Sequence, residues 1–503
     1  MPRPTADGSA VALVSFHGTE LDQATADLVK HRWVAGVTLF RGLNIENAVQ
    51  TRRLTKDLQQ AAGRTLLIAA DQEGGQLLGA GADTTPFAGN MALGAVGDPF
   101  LALRIGHAIG LELRALGINL NYAPVADVAS RPFNPSLGIR SFGEDPGVVA
   151  RMTASMVTGL QEAGVAATLK HFPGKGEAAV DPHYELPVLD LDLDRLERVE
   201  FAPFRAGIAA GAHLMMVGHY GLPAITGDRG TPATASREVM TGLIRETLGF
   251  EGLIVTDALD MGAFGGLSLE SPLAAGADLL LFGPAQAGTT AVGTANPSGR
   301  LEKLVAWLDG FPQPDVNVVG CADHRELAGE LARKSITLVR NDAGLIPVNT
   351  SGRALVVMPR PLDLTPADTS SYVEPGLATA IRRHHPTAQA IVVSAHPTHN
   401  EIESVVEQAS NHDPVIVGTI DANEAQTALT RRLIASGSNV IGVALRTPYD
   451  LAFFPELATY ICTYGIHPPS LGAMADALFG LAPFQGRLPV AIPGLYPIGA
   501  GRT

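Results

Sequence analysis

A chain of 503 residues exceeds one ordinary hydrophobic core, and 46% apolar against 17% charged residues, with 55 glycines and 35 prolines, excludes a disordered or fibrous protein. The net charge of −14 comes with no basic block, which argues against a nucleic-acid partner, because phosphate binding needs clustered Lys and Arg. Such a balance favours neutral or cationic ligands over polyanions.

Residues 1–10 carry no positively charged lead into a long apolar core, and no run reaches membrane-spanning length. The expectation is a cytoplasmic protein with no membrane partner. Short apolar runs follow at 10–16, 34–40, 66–70, 118–122, 165–169, 214–218, 253–256 and 277–282, and read as strands. Between several of them lie amphipathic helical patterns at 99–116, 148–163, 194–210 and 236–248. Alternation of this kind over about eight strands predicts a (β/α)8 barrel, spanning 1–310, with its chemistry at the C-terminal strand ends. Asp71, Asp127, Lys170 with His171, His219, Asp257 and Gly283 all stand at or just past predicted strand ends.

The small-residue stretch 284–299, a helical segment at 301–308 and a Pro-containing connection at 311–317 lead out of the barrel, and 311–332 reads as the link between domains. Beyond it, apolar runs at 336–339, 354–358, 390–394, 414–420, 440–445 and 459–464 alternate in part with helical patterns at 400–408, 422–435 and 470–478. They predict a second domain, 333–503, with an open α/β sandwich. Cys321 and Cys462 are too few and too distant for a disulfide framework or a cysteine zinc site, and read as buried small apolar residues. Neither short-period repeats nor low-complexity tracts occur.

The most informative stretch follows the strand at 165–169. It runs Lys170-His171-Phe172-Pro173-Gly174-Lys175-Gly176-Glu177 and on to Asp181-Pro182-His183, crowding cations, imidazoles and carboxylates around glycines. Asp257, in Thr256-Asp257-Ala258-Leu259-Asp260-Met261, lies at the mouth of the predicted seventh strand, where its carboxylate can attack a carbon with developing positive charge. Retaining glycoside hydrolysis needs such a nucleophile and a proton donor across the scissile bond. Asp181 can hold one ring nitrogen of His183 and leave the other to protonate a leaving oxygen.

These residues resemble family 3 glycoside hydrolases, in their β-N-acetylglucosaminidase branch. The resemblance rests on Asp71-Gln72-Glu73-Gly74-Gly75, the 134–146 run through Arg140-Ser141-Phe142-Gly143-Glu144-Asp145, Lys170-His171-Phe172-Pro173-Gly174 with its downstream Asp181-x-His183, and Thr256-Asp257-Ala258-x-x-Met261. In the second domain, 335–342 and Gly486-Arg487-Leu488-Pro489-Val490 look like the two-domain members. The resemblance implies that Asp257 is the nucleophile, His183 the general acid/base and Asp181 its partner. It further implies that Asp71, Arg140, Lys170 and His171 hold the sugar, with Met261 and Lys175 also at the substrate. No metal and no cofactor belong to this mechanism.

Three positions depart from the family pattern. Lys175 stands where a histidine is usual, Glu177 where an aspartate is usual, and Gly79 where an arginine commonly contacts the sugar; Lys175 and Arg41 are the candidate substitutes for that arginine. The expected function is a retaining exo-β-N-acetylglucosaminidase acting on terminal sugars of chitin-type or cell-wall oligosaccharides. One alternative is a phosphorylase using phosphate as nucleophile, since an imidazole acid/base does not repel an anion as a carboxylate does. Another is an inactive barrel that only binds sugar. The expected partner is a small carbohydrate, with phosphate in the alternative reading, and the chain is expected to be a monomer or homodimer.

Overall fold

The computed structural model describes residues 11–286 and 299–502. Eight strands pair in parallel: β1 (Ala12–Val14), β2 (Val34–Thr38), β3 (Leu67–Ala70), β4 (Leu120–Asn121), β5 (Ala166–Phe172), β6 (Leu214–Val217), β7 (Leu253–Ala258) and β8 (Leu279–Leu281). They close into a barrel in chain order, with β8 returning to β1. Every one coincides with an apolar run expected to be a strand.

Alternation along these strands explains why the runs are apolar on both faces. Leu13, Leu67, Leu120, Ala166, Leu214, Val255 and Leu279 form the interior cluster, while Val14, Ile68, Ala167, Met215, Ile254 and Leu280 join the shell that packs on the helices. The helix Arg300–Leu308 adds Leu304 and Leu308 to the interior. Its Trp307 ring lies 4.2 Å from His213, just before β6, so this helix closes the N-terminal floor of the barrel. Asp98-Pro99 and Asp145-Pro146 start the helices Pro99–Ala115 and Pro146–Glu162. Each aspartate caps by accepting a backbone N–H bond, from Phe100 and Val148, and each proline sits where its missing N–H costs nothing.

The second domain holds β9 (Thr337–Asn341), β10 (Leu355–Pro359), β11 (Gln389–Val393), β12 (Val415–Thr419), β13 (Val440–Ala444) and β14 (Thr459–Cys462). Its sheet order is β9-β14-β13-β12-β10-β11, parallel except for β9 against β14. Helices such as His399–Ala409, Glu424–Ala435 and Pro468–Leu478 join its strands. The expected link at 311–332 contains most of the helix Ala322–Ser335, which packs on Asn90–Val96 of the first domain and on Pro468–Leu478 of the second.

Most of the 284–299 stretch and all of 1–10 lie outside the described residues. Cys462 is buried within β14, whereas Cys321 is partly exposed because it occupies the N-cap of Ala322–Ser335 rather than a core position. Among the described residues no helix is long and apolar enough to cross a membrane.

Candidate active site

A cavity of about 520 Å³ opens at the C-terminal ends of the barrel strands. Of the residues singled out from sequence, Asp71, Arg140, Lys170, His171, Lys175, His183, Asp257 and Met261 all line it, and Asp181 stands directly behind His183. Asp71 follows β3 directly, Lys170, His171 and Asp257 stand in the last residues of β5 and β7, and Arg140, Lys175 and His183 come from the segments that follow β4 and β5.

One side of the cavity is a buried charge network. Lys170, at the end of β5, bonds Asp71 Oδ1 and Glu73 Oε1, both at 2.6 Å. Glu73 comes from a hairpin, Gln72–Gly74 against Leu77–Leu78, that folds back after β3. Arg140 grips Glu73 with two bonds, Nε to Oε2 at 2.8 Å and Nη2 to Oε1 at 2.7 Å, and also donates to Ser136 O. Burial alone would raise the Glu73 carboxyl, but Arg140 and Lys170 hold it far below the usual carboxylate range. The same carboxylates raise the Lys170 ammonium against the effect of its own burial.

His171 is fixed from behind. Its Nδ1 meets Asp127 Oδ2 at 2.8 Å, and Asp127 Oδ1 accepts the backbone N–H groups of His171 and Lys175. Burial, then the cations of Lys175 and Arg140, keeps the His171 imidazole well below its ordinary pKa and hence neutral. Burial likewise brings the Lys175 ammonium down to about 8, and its Nζ donates to Ser136 O at 3.2 Å.

The opposite side carries the paired catalytic-type groups. Asp181 Oδ1 lies 2.6 Å from His183 Nδ1 and also accepts the His183 backbone N–H, so the imidazole orientation is set by one carboxylate oxygen. The loop bearing His183 is held, since His183 O and Pro182 O accept the N–H groups of Gly262 and Ala263. A Cβ on Gly262 would stand 2.3 Å from Tyr184 O, so glycine is what lets the two loops meet. Asp257, half-buried in the last turn of β7, accepts the Ala258 N–H. Burial disfavours its charge, yet the imidazoles of His171 and His219 and that N–H hold it below the usual range. His219 is itself fixed between Thr234 Oγ1 and Ala258 O.

The structure also explains the Gly79 departure. A Cβ there would lie 2.4 Å from Asp71 O, so the backbone leaves no room for any side chain. The space above is bounded instead by Arg41, whose guanidinium sits 4.3 Å from the centre of the Tyr372 ring, and both residues line the cavity. Tyr372 and Asp363 belong to the second domain. Sequence reasoning missed this contribution, which reaches the site through tertiary packing and leaves no periodic signal. It also gave Glu73 and Asp127 no individual role, although Glu73 lies inside the Asp71-x-Glu73-Gly74-Gly75 motif and Asp127 at a strand end. Among the described residues no group of three or more His, Cys, Asp or Glu side chains is arranged to hold a metal ion.

Residues 8–304 match the family described as glycosyl hydrolase family 3 N terminal domain. The chain is 30% identical over 515 residues to a β-N-acetylglucosaminidase/β-glucosidase of Cellulomonas fimi, covering 90% of this chain and 89% of that protein. It is 39% identical over 281 residues to a β-hexosaminidase of Stenotrophomonas maltophilia, covering 54% of this chain and 82% of that one. A solved glycoside hydrolase family 3 β-N-acetylglucosaminidase from Paenibacillus sp. str. FPU-7 superposes with a TM-score of 0.88 at 31% identity, covering 97% of this chain and 98% of its own. With a matching barrel, a matching second domain and a carboxylate- and imidazole-lined cavity between them, the chain belongs to glycosyl hydrolase family 3 and is a glycoside hydrolase.

Proposed function

We propose that this glycoside hydrolase is a retaining exo-β-N-acetylglucosaminidase that removes terminal N-acetylglucosamine from chitin-type or cell-wall oligosaccharides. The observation that carries the reading is that the Asp257 carboxylate and the Asp181-held imidazole of His183 line one cavity at the barrel mouth. In the first step Asp257 forms a bond to the anomeric carbon as the glycosidic C–O bond breaks, and His183 Nε2–H gives its proton to the leaving oxygen. In the second step a water oxygen bonds to that carbon, the ester bond to Asp257 breaks, and Nε2 takes the water's proton. Asp181 stabilises the imidazolium that starts the first step and is re-formed in the second, His183 being neutral only while the glycosyl ester stands.

Sugar binding falls to the opposite wall. Asp71, with Lys170 on one oxygen, accepts from sugar hydroxyls, while Lys170 donates and neutral His171, its Nδ1–H held by Asp127, offers Nε2 as an acceptor. Arg140 acts largely by holding Glu73 and His171, and Met261 packs on the ring. Each substrate hydroxyl left without its partner in such a buried site costs about 1–3 kcal/mol, which favours a full-length terminal sugar over truncated analogues.

A second reading, phosphorolysis, is favoured by one observation. Lys175 places a buried ammonium in this cavity, and among the described residues its one hydrogen bond is to Ser136 O, so the site offers a cation to an anionic nucleophile beside an acid/base that carries no negative charge. Incubation with the p-nitrophenyl β-glycosides of N-acetylglucosamine and glucose, with and without phosphate, separates the readings by the mass of the sugar released. Free N-acetylglucosamine at a phosphate-independent rate supports hydrolysis. Sugar 1-phosphate at a rate that rises with phosphate, and loses that rise in Lys175→Gln, supports phosphorolysis. No turnover of either glycoside overturns both and leaves a barrel that only binds sugar.

A further inference from the structure

A second, smaller cavity of about 280 Å³ lies in the seam between the two domains, bounded by the loop 131–138 on the barrel side and by Thr365, Asp421, Arg446, Asp450 and Phe453 on the other. None of the residues lining it lines the catalytic cavity.

Its walls differ in chemistry. On one side Phe133 packs 5.0 Å from Phe453 and 5.2 Å from Tyr449, yet Phe133 and Phe453 keep 45% and 37% of their surfaces exposed. Phe133 has φ of 57°, a left-handed conformation that a bulky residue rarely adopts. On the other side Arg446 is committed to Asp368 and Gln76, with its Nε 3.1 Å from Asp421 Oδ2. Arg446 Nε, apart from that ion pair, and Thr365 Oγ1, and Asp450 Oδ2 beside the Thr419 hydroxyl, are buried with no close hydrogen-bond partner among the described residues. Buried polar atoms are normally satisfied, so three orphans on residues lining one cavity point to an absent partner. Burial, then the neighbouring Asp421 carboxylate, pushes the Asp450 carboxyl up to about 7, so near neutrality it can donate as well as accept.

We propose that this seam is a second carbohydrate-binding site, taking one hexopyranose ring whose C–H face stacks on Phe133 and Phe453 while its hydroxyls bond Asp450 and Thr365. A pyranose is the ligand class that presents an apolar face and a hydroxyl edge together. A purely apolar ligand would leave these orphans unpaired, and an anion would meet the Asp421 carboxylate. Small-ligand sites usually begin near 300 Å³, so this cavity suits a single ring rather than a chain. The inference stands on the seam's own chemistry and does not depend on the reaction assigned to the catalytic cavity.

The test is calorimetric titration of the full-length chain with N-acetylglucosamine, alongside Phe453→Ala, Phe453→Trp and Asp71→Asn. The expected result is two equivalents bound by the parent and by Phe453→Trp, one by Phe453→Ala with glycosidase activity unchanged, and one by Asp71→Asn. One equivalent in the parent, lost in Phe453→Ala and kept in Asp71→Asn, still supports the seam site while overturning sugar binding in the catalytic cavity. One equivalent lost in Asp71→Asn and kept in Phe453→Ala overturns the seam site, as does no binding at all. Phe453 is partly exposed, so its truncation leaves the core intact, and loss in both Phe453 variants would mark a packing defect and overturn the stacking role.

Discussion

At the scale of single residues, the proton donor is the sharpest prediction. Asp181 fixes one nitrogen of His183, and in the proposed mechanism Nε2 is the donor, so the penalty for losing the imidazole depends on how much protonation the leaving group needs. His183→Ala is expected to lower kcat/KM about 10²–10⁴-fold on a sugar aglycone, and far less on a 2,4-dinitrophenyl glycoside, whose leaving group departs unprotonated. An equal loss on both substrates would remove the acid/base role. Gly79 gives a prediction of opposite kind. Because its absent Cβ would sit 2.4 Å from Asp71 O, Gly79→Ala is already expected to displace Asp71, costing about 1–3 kcal/mol of strain and raising KM. Restoring an arginine at Gly79 is therefore expected to impair the enzyme, and a gain in affinity for N-acetylglucosaminides in steady-state kinetics would contradict this account.

Elements carry the site through what their ends hold. The hairpin after β3 brings Glu73 between Arg140 and Lys170, two cations buried as deeply as itself. Removing the carboxylate leaves Arg140 uncompensated and Lys170 with Asp71 alone, so Glu73→Gln is expected to destabilise the fold by about 3–5 kcal/mol near neutral pH. The pH dependence has a definite sign. The folded carboxyl titrates below its unfolded value of about 4.3, so its contribution is fully present above that pH and is lost as pH falls below it toward the folded value. Denaturation from about pH 6 to pH 3 should show a steeper loss in the parent than in Glu73→Gln, and parallel curves would contradict the depressed pKa. At this scale the strands were legible in the sequence, because a parallel barrel buries both faces and writes its strands as continuous apolar runs. Asp71, Lys170, His171 and Asp257 were legible because each follows such a run, whereas Arg140 and His183 stood out through the motifs that resemble the family. Glu73 and Asp127 gained roles only when partners distant in the chain came into view: Arg140 lies 67 residues from Glu73, and His171 lies 44 from Asp127.

For the whole molecule, the second domain is part of the catalytic cavity's wall rather than an appendage. Thr369 Oγ1 donates to Gln76 O across 293 residues, His467 Nε2 meets Gly75 O, and Arg446 reaches Gln76 Oε1, so the Asp71–Leu78 segment is clamped from outside the barrel. No local pattern encodes such contacts, which is why Asp363 and Tyr372 were not legible as site residues although the sheet that carries them was. The clamp has a keystone. Asp368 is fully buried, its two oxygens accept the N–H groups of Leu364 and Ser370, and Arg446 neutralises it at 2.6 Å. These bonds shape the loop that presents Asp363 and Tyr372 to the cavity mouth, where Arg41 stacks on Tyr372. Arg446→Ala would leave Asp368 buried and unpaired, a loss of about 3–5 kcal/mol, and would loosen that loop. The mouth lies where an aglycone leaves, whereas Asp71, Lys170 and His171 lie deeper. Arg446→Ala is thus expected to raise KM for chitobiose several-fold more than for the p-nitrophenyl monosaccharide, measured below the variant's melting temperature. Equal effects on the two substrates would mean that the second domain only supports the barrel and takes no part in choosing what is bound beyond the cleaved bond.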